Sequence, residues 1–146
     1  MLDLILAVVH HLLFAGLIAM LAMELALLRL PAPPTARLAG LDAGYGTTAL
    51  LILAVGAARV LWGGKGWAFY EANPFFWAKI ATFALIGLIS IRPTLLILKW
   101  RRAGRDAPAY VPPEGERAAA RRAVGIEILL LLPLLGFAAA MARWPF

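Results

Sequence analysis

"LILAVVHHLLFAGLIAMLAMELALL", residues 4–28, decides the fold, because only His10, His11 and Glu24 interrupt its apolar run. At about 1.5 Å per residue a helix over this stretch is roughly 37 Å long, enough to cross a hydrocarbon core of about 30 Å. Asp3 precedes it and no basic residue does. A cleaved secretory signal begins with a positive segment, so the stretch reads as a retained spanning helix. Pro31, Pro33 and Pro34 end it, since proline lacks the N–H and clashes with the preceding turn.

Three further segments of this kind follow, at about 42–61, 75–100 and 118–142. Asp42 stands where it would cap the second, as carboxylates favour helix N-termini. "WGGKGWAFYEANP" (62–74) joins the second to the third through Gly63, Gly64, Gly66 and Pro74, which are turn formers. Pro93 falls inside the third and is expected to kink it. "RRAGRDAPAYVPPEGER" (101–117) is the most polar stretch, and its three prolines argue against regular structure. Pro133 falls inside the fourth. The chain has 146 residues, of which 63% are hydrophobic and 15% charged, and its mean hydropathy is +0.84. This composition is that of a membrane protein. The expectation is an all-α, four-helix transmembrane bundle forming a single integral membrane domain over residues 1–146.

Cysteine is absent, which excludes disulfides, thiolate metal sites and a cysteine nucleophile. The chain carries no phosphate-cradling glycine motif, no HExxH and no serine-triad pattern. Its net charge of +6 is read as loop charge that sets orientation in a lipid bilayer, with no nucleic-acid partner. Lys99, Arg101, Arg102, Arg105, Arg117, Arg121 and Arg122 surround the third loop, and Arg29 and Arg37 lie on the first. Arg59, Lys65, Lys79 and Arg143 are at the opposite end, together with Trp62, Trp67, Tyr70, Trp77 and Trp144. The positive-inside rule then places the arginine-rich end in the cytoplasm and both termini outside a bacterial inner membrane, with the aromatic residues as an interfacial belt.

Ionisable groups inside a bilayer need a partner, water or a function. They fall at two depths. Near the terminal end lie His10, Lys79 and Arg59, on three helices that could enclose one site. Deeper toward the arginine-rich end lie Glu24, Arg92 and Glu127, expected to form a structural ion cluster that Asp42 and Tyr45 could join. At 100° per residue, His10 and Glu24 lie about 40° apart and share a face, whereas His11 is about 140° from Glu24. His10 is therefore the candidate metal or cofactor ligand, and His11 an interfacial residue. Arg92 is about 140° from Lys79, so it faces a different crevice unless Pro93 alters the phase. Plainer roles stand beside these: His10 bonded to a neighbouring helix, Lys79 snorkelling to the surface, and the carboxylates serving as glue.

The segments "HHLLFAG", "ELALLRL", "LDAGYG", "GAARVLWGGKGWAFYEANPFFWAKI", "LIGLISIRPT" and "LKWRR", in this order, resemble a family of small bacterial inner-membrane proteins known as a domain of unknown function. The likeness covers nearly the whole chain and implies a four-helix membrane fold without an activity. More distantly the chain is similar to HemJ-type protoporphyrinogen oxidases and to CopD-type membrane domains. The HemJ likeness implies haem b or a porphyrin held by His10, with Trp77-Ala78-Lys79 beside it. Lys79 and Arg59 would then meet propionates or move protons, as in a membrane oxidoreductase acting on a porphyrinogen. The Leu-Pro-Arg-Leu core and following histidine of that family are replaced here by "LALLRLP", and no histidine follows Lys79. Two helices of one chain cannot supply a bis-histidine haem site, so a second axial ligand would be Met, Lys, water or a partner's group. Two alternatives belong to other classes. One is an accessory subunit of a larger membrane complex without its own cofactor. The other is a copper or small-solute permease built on His10, Met20 and Met23, which at this size would need to oligomerise.

Overall fold

The computed structural model describes residues 1–145. Five helices follow one another: α1 (Leu2–Leu28), α2 (Thr35–Trp62), α3 (Trp67–Glu71), α4 (Pro74–Asp106) and α5 (Glu114–Arg143). All but α3 are long and apolar enough to cross a membrane. The protein is an all-α, four-helix transmembrane bundle. α1 packs on α2 and α5, and α4 packs on α5 and α2, which closes a ring of four.

Each long helix buries one stripe at helical spacing. In α1 it is Leu17, Leu21, Glu24 and Leu28; in α2 it is Leu38, Asp42, Tyr45 and Ile52. In α4 it is Ile86, Pro93, Ile97 and Trp100; in α5 it is Ala120, Val124, Glu127, Leu131 and Leu134. The opposite faces stay apolar too: Leu50, Leu88 and Leu132 are each more than 60% exposed. Such faces suit hydrocarbon, where lipid tails are as apolar as leucine.

Three boundaries differ from the sequence expectation. α2 begins at Thr35, after Pro34. Asp42 is therefore two turns inside the helix, buried in the bundle, and does not cap it. α4 runs through Pro93 as one helix and continues to Asp106. α5 begins at Glu114, so the irregular part of the third loop shrinks to residues 107–113. The aromatic connection also contains α3, one short helix entered through Gly66, whose φ of +74° suits glycine.

Side chains of neighbouring helices complete the helix ends. α1 has no basic residue in its last turn. Arg121 donates to the Leu28 carbonyl and Arg117 to the carbonyls of Leu30 and Pro31, so α5 supplies cations to the negative end of α1. Asn73 is fully buried and acts twice. Its Oδ1 accepts from the Phe75 N–H at the start of α4, and its Nδ2 donates to the Met141 carbonyl near the end of α5. Asn73→Ala is expected to lower stability by about 1–2 kcal/mol, the scale of a lost helix cap. Unfolding in detergent checks this, and Asn73→Asp should retain the cap but lose the bond to Met141. The Asn73–Met141 bond and the Asp3–Arg59 pair also place both chain ends at the same end of the bundle.

Candidate functional site

At that end the helices do not close on one another. A cavity of about 470 Å³ opens between them, with walls from α1, α2, α3, α4 and α5. Its lining is mostly apolar, including Phe14, Ile52, Tyr70, Phe76 and Phe83. This size and character are those of small-molecule sites. His10, Arg59 and Lys79, expected from the sequence to meet, all line it.

His10 projects from α1 toward α2, where Gly56 makes room for its ring. A Cβ on Gly56 would lie 3.5 Å from His10 Cε1. Its Nδ1 is buried against α2 without a hydrogen-bond partner. Lys79 projects from the second turn of α4. Its ammonium contacts the Met141 sulfur at 3.6 Å and lies 5.6 Å above the Phe76 ring centre. A thioether is a weak acceptor, so most of the lysine's donor capacity remains unused. Arg59 faces Asp3 at 3.9 Å, and its Nε is buried without a hydrogen bond. The charges of Lys79 and Arg59 reach each other and His10. A mostly apolar cavity thus has two cationic side chains and an imidazole on its wall, and Asp3 pairs with one of the cations, Arg59.

The other expected members separate. His11 is exposed, its Nδ1 lies 2.6 Å from the Ala7 carbonyl, and its ring meets that of His10 edge-on. It borders the cavity mouth. Trp77, expected beside the ligand, stands behind Trp67 and Phe76 instead. Its indole N–H donates to the Glu71 carbonyl, and Trp67 takes the place on the cavity wall. Met141 and Tyr70 also line the cavity. No spacing in the sequence marks them, because they arrive from the far end of α5 and from the short α3. Met20 abuts Gly44 and Met23 is 44% exposed. At about 1.5 Å per residue they sit roughly 15–20 Å along α1 from His10, so the three do not form one copper site.

The second polar group lies toward the arginine-rich end. Glu24, Asp42 and Glu127 are each at least 93% buried, and their charges interact. Tyr45 donates to Glu127 Oε2 at 2.9 Å and Thr94 donates to Asp42 Oδ1 at 2.7 Å. Glu127 Oε1 is buried without a partner. Among the described residues no hydrogen bond or ion pair reaches the Glu24 carboxylate. Arg92, expected to neutralise this cluster, is exposed on the outer face of α4 and takes no part in it. The reason is phase: Pro93 and Ile97 hold the inward stripe of α4, and Arg92 lies one position, about 100°, away from it. Thr94 occupies the place expected for the arginine.

Among the described residues no group of three or more His, Asp or Glu side chains is disposed to hold a metal ion. A bare ion needs several protein ligands at once, which His10 alone does not provide. Haem iron differs, because the macrocycle brings its own nitrogens and one protein nitrogen can serve as axial ligand.

A family model described as "Predicted membrane protein (DUF2214)" matches residues 2–144. No curated protein and no solved structure matches the chain.

Proposed function

The chain belongs to the DUF2214 family of predicted membrane proteins, and within it we propose that this member binds an amphipathic, carboxylated tetrapyrrole, haem b or a porphyrin, in the terminal cavity. One observation carries the reading. The imidazole of His10 and two cationic side chains, Lys79 and Arg59, share the wall of an otherwise apolar cavity of about 470 Å³. A flat apolar ligand that carries acid groups at its edge would match such a wall, with its body against the apolar lining and its acids toward the cations. His10 would hold the iron, while Lys79 and Arg59 would hold the propionates, since charge-assisted bonds to carboxylate are the strong ones. The haem itself would supply one-electron chemistry at this place. We further propose the bacterial inner membrane as its location, with the arginine-rich end in the cytoplasm, as the charge asymmetry favours. The cavity then opens in the outer leaflet.

The test is an absorption spectrum of protein purified in mild detergent from haem-replete cells, first air-oxidised and then reduced with dithionite. The expected result is a Soret band with reduced α and β bands, lost in His10→Ala and weakened in Lys79→Gln. A colourless wild-type protein, or a pigment that survives His10→Ala unchanged, overturns the reading. It would leave an accessory subunit of a larger complex as the better account.

A further inference from the structure

At the opposite end a groove of about 390 Å³ runs between the last turn of α1 and the second to fourth turns of α5. Its floor is apolar, formed by Leu25, Ala118 and Gly125. Three arginines line it: Arg29, Arg121 and Arg122. We propose that this groove binds one anionic phospholipid, with the headgroup phosphate among the arginines and the first part of an acyl chain along the floor.

The arginines are arranged for such a ligand. Arg121 is anchored, bonded to the Leu28 carbonyl and paired with Glu114. Glu114 is shared with Arg117, so the local acid is already committed. Arg29 and Arg122 are exposed, and among the described residues no acid pairs with either. Guanidinium groups match phosphate oxygens in a planar, two-point fashion.

Depth agrees with the chemistry. α5 has 30 residues, so it is about 45 Å long against a hydrocarbon core of about 30 Å. Its first turns therefore stand in the headgroup layer, at the level where a phosphate lies. Leu25 and Gly125 lie about one turn further along their helices toward the middle of the bundle, where an acyl chain begins. Gly125 keeps the floor open, since a Cβ built there meets nothing within 4 Å. Basic pockets between helices at the cytoplasmic face are a recurrent form of lipid headgroup site. The apolar floor selects a lipid over a free phosphate.

The probe is phosphatidylglycerol against phosphatidylcholine, titrated into delipidated full-length protein in neutral detergent and followed by native mass spectrometry. The expected result is one phosphatidylglycerol per chain, with phosphatidylcholine at least tenfold weaker. Each arginine near a headgroup contributes about fivefold, so Arg29→Gln with Arg122→Gln should lose roughly thirtyfold in affinity. Gly125→Leu fills the floor without altering charge and should weaken binding while helicity is unchanged. Arg101→Gln with Arg102→Gln, on α4, should leave it within about twofold. Equal retention of the two lipids overturns the proposal. So does an equal loss from both arginine pairs, which is diffuse attraction, or displacement of the lipid by inorganic phosphate alone.

Discussion

Glu24→Met is expected to stabilise the bundle by about 1 kcal/mol, since it removes a mostly buried carboxyl group that has no hydrogen bond among the described residues. Glu24 is 2% exposed and faces two further carboxyl groups, while the cation expected from the sequence, Arg92, lies outside. Methionine has nearly the same length and volume, so the surrounding leucines keep their contacts. Replacing a poorly compensated buried polar group with an apolar one of similar shape is often neutral or stabilising. The comparison that fixes the interpretation is Tyr45→Phe. It removes the only hydrogen bond to Glu127 Oε2 among the described residues, so it is expected to destabilise by about 1–2 kcal/mol. Both are read from reversible unfolding in mixed micelles. A Glu24→Met protein less stable than wild type would mean that Glu24 is satisfied by a bound water or ion. A gain would mark the carboxylate as a group kept at a cost in stability, the pattern expected of an intramembrane residue with a function.

Trp100→Ala should cause the largest loss, about 3–5 kcal/mol. Trp100 is fully buried where α4 meets α5, among Leu28, Leu38 and Ile97 in the same core cluster. Its indole N–H donates to Glu116 Oε2 at 2.8 Å, and Glu116 also pairs with Lys99. Truncation therefore leaves both a cavity and a carboxylate with one donor fewer. Trp100→Phe separates the two effects. It keeps most of the ring and loses the hydrogen bond, so it should cost about 1 kcal/mol. If the two substitutions cost the same, the hydrogen bond and not the packing holds this end of the bundle.

The membrane architecture was legible because hydropathy and length are one-dimensional quantities. Residues 4–28 could not remain apolar over that distance for any simpler reason, and the prolines after Leu30 marked where the run ends. The shared depth of His10, Arg59 and Lys79 was legible too, since a helix converts residue number into height at a constant rise. Phase was harder to read. A soluble helix shows its buried stripe by contrast with a polar face, but here the lipid face is also apolar. The one place where that contrast survived was the carboxylates, and Glu24 and Glu127 are both buried in the bundle. It gave no guide to Arg92, which lies about 100° from the inward stripe of α4 and is exposed on the outer face.

What the sequence by itself determined is the number of spanning helices, the common side of the two ends, and the two levels at which polar groups lie. These follow from hydrophobic length and from a fixed rise per residue. Only the tertiary structure decided which groups meet. It put Met141 against Lys79, Thr94 in place of Arg92, Trp67 in place of Trp77, and an open cavity beside His10. The reason is that helix rotation about its own axis, when both faces are apolar, is set by the packing of neighbouring side chains, which no single segment contains.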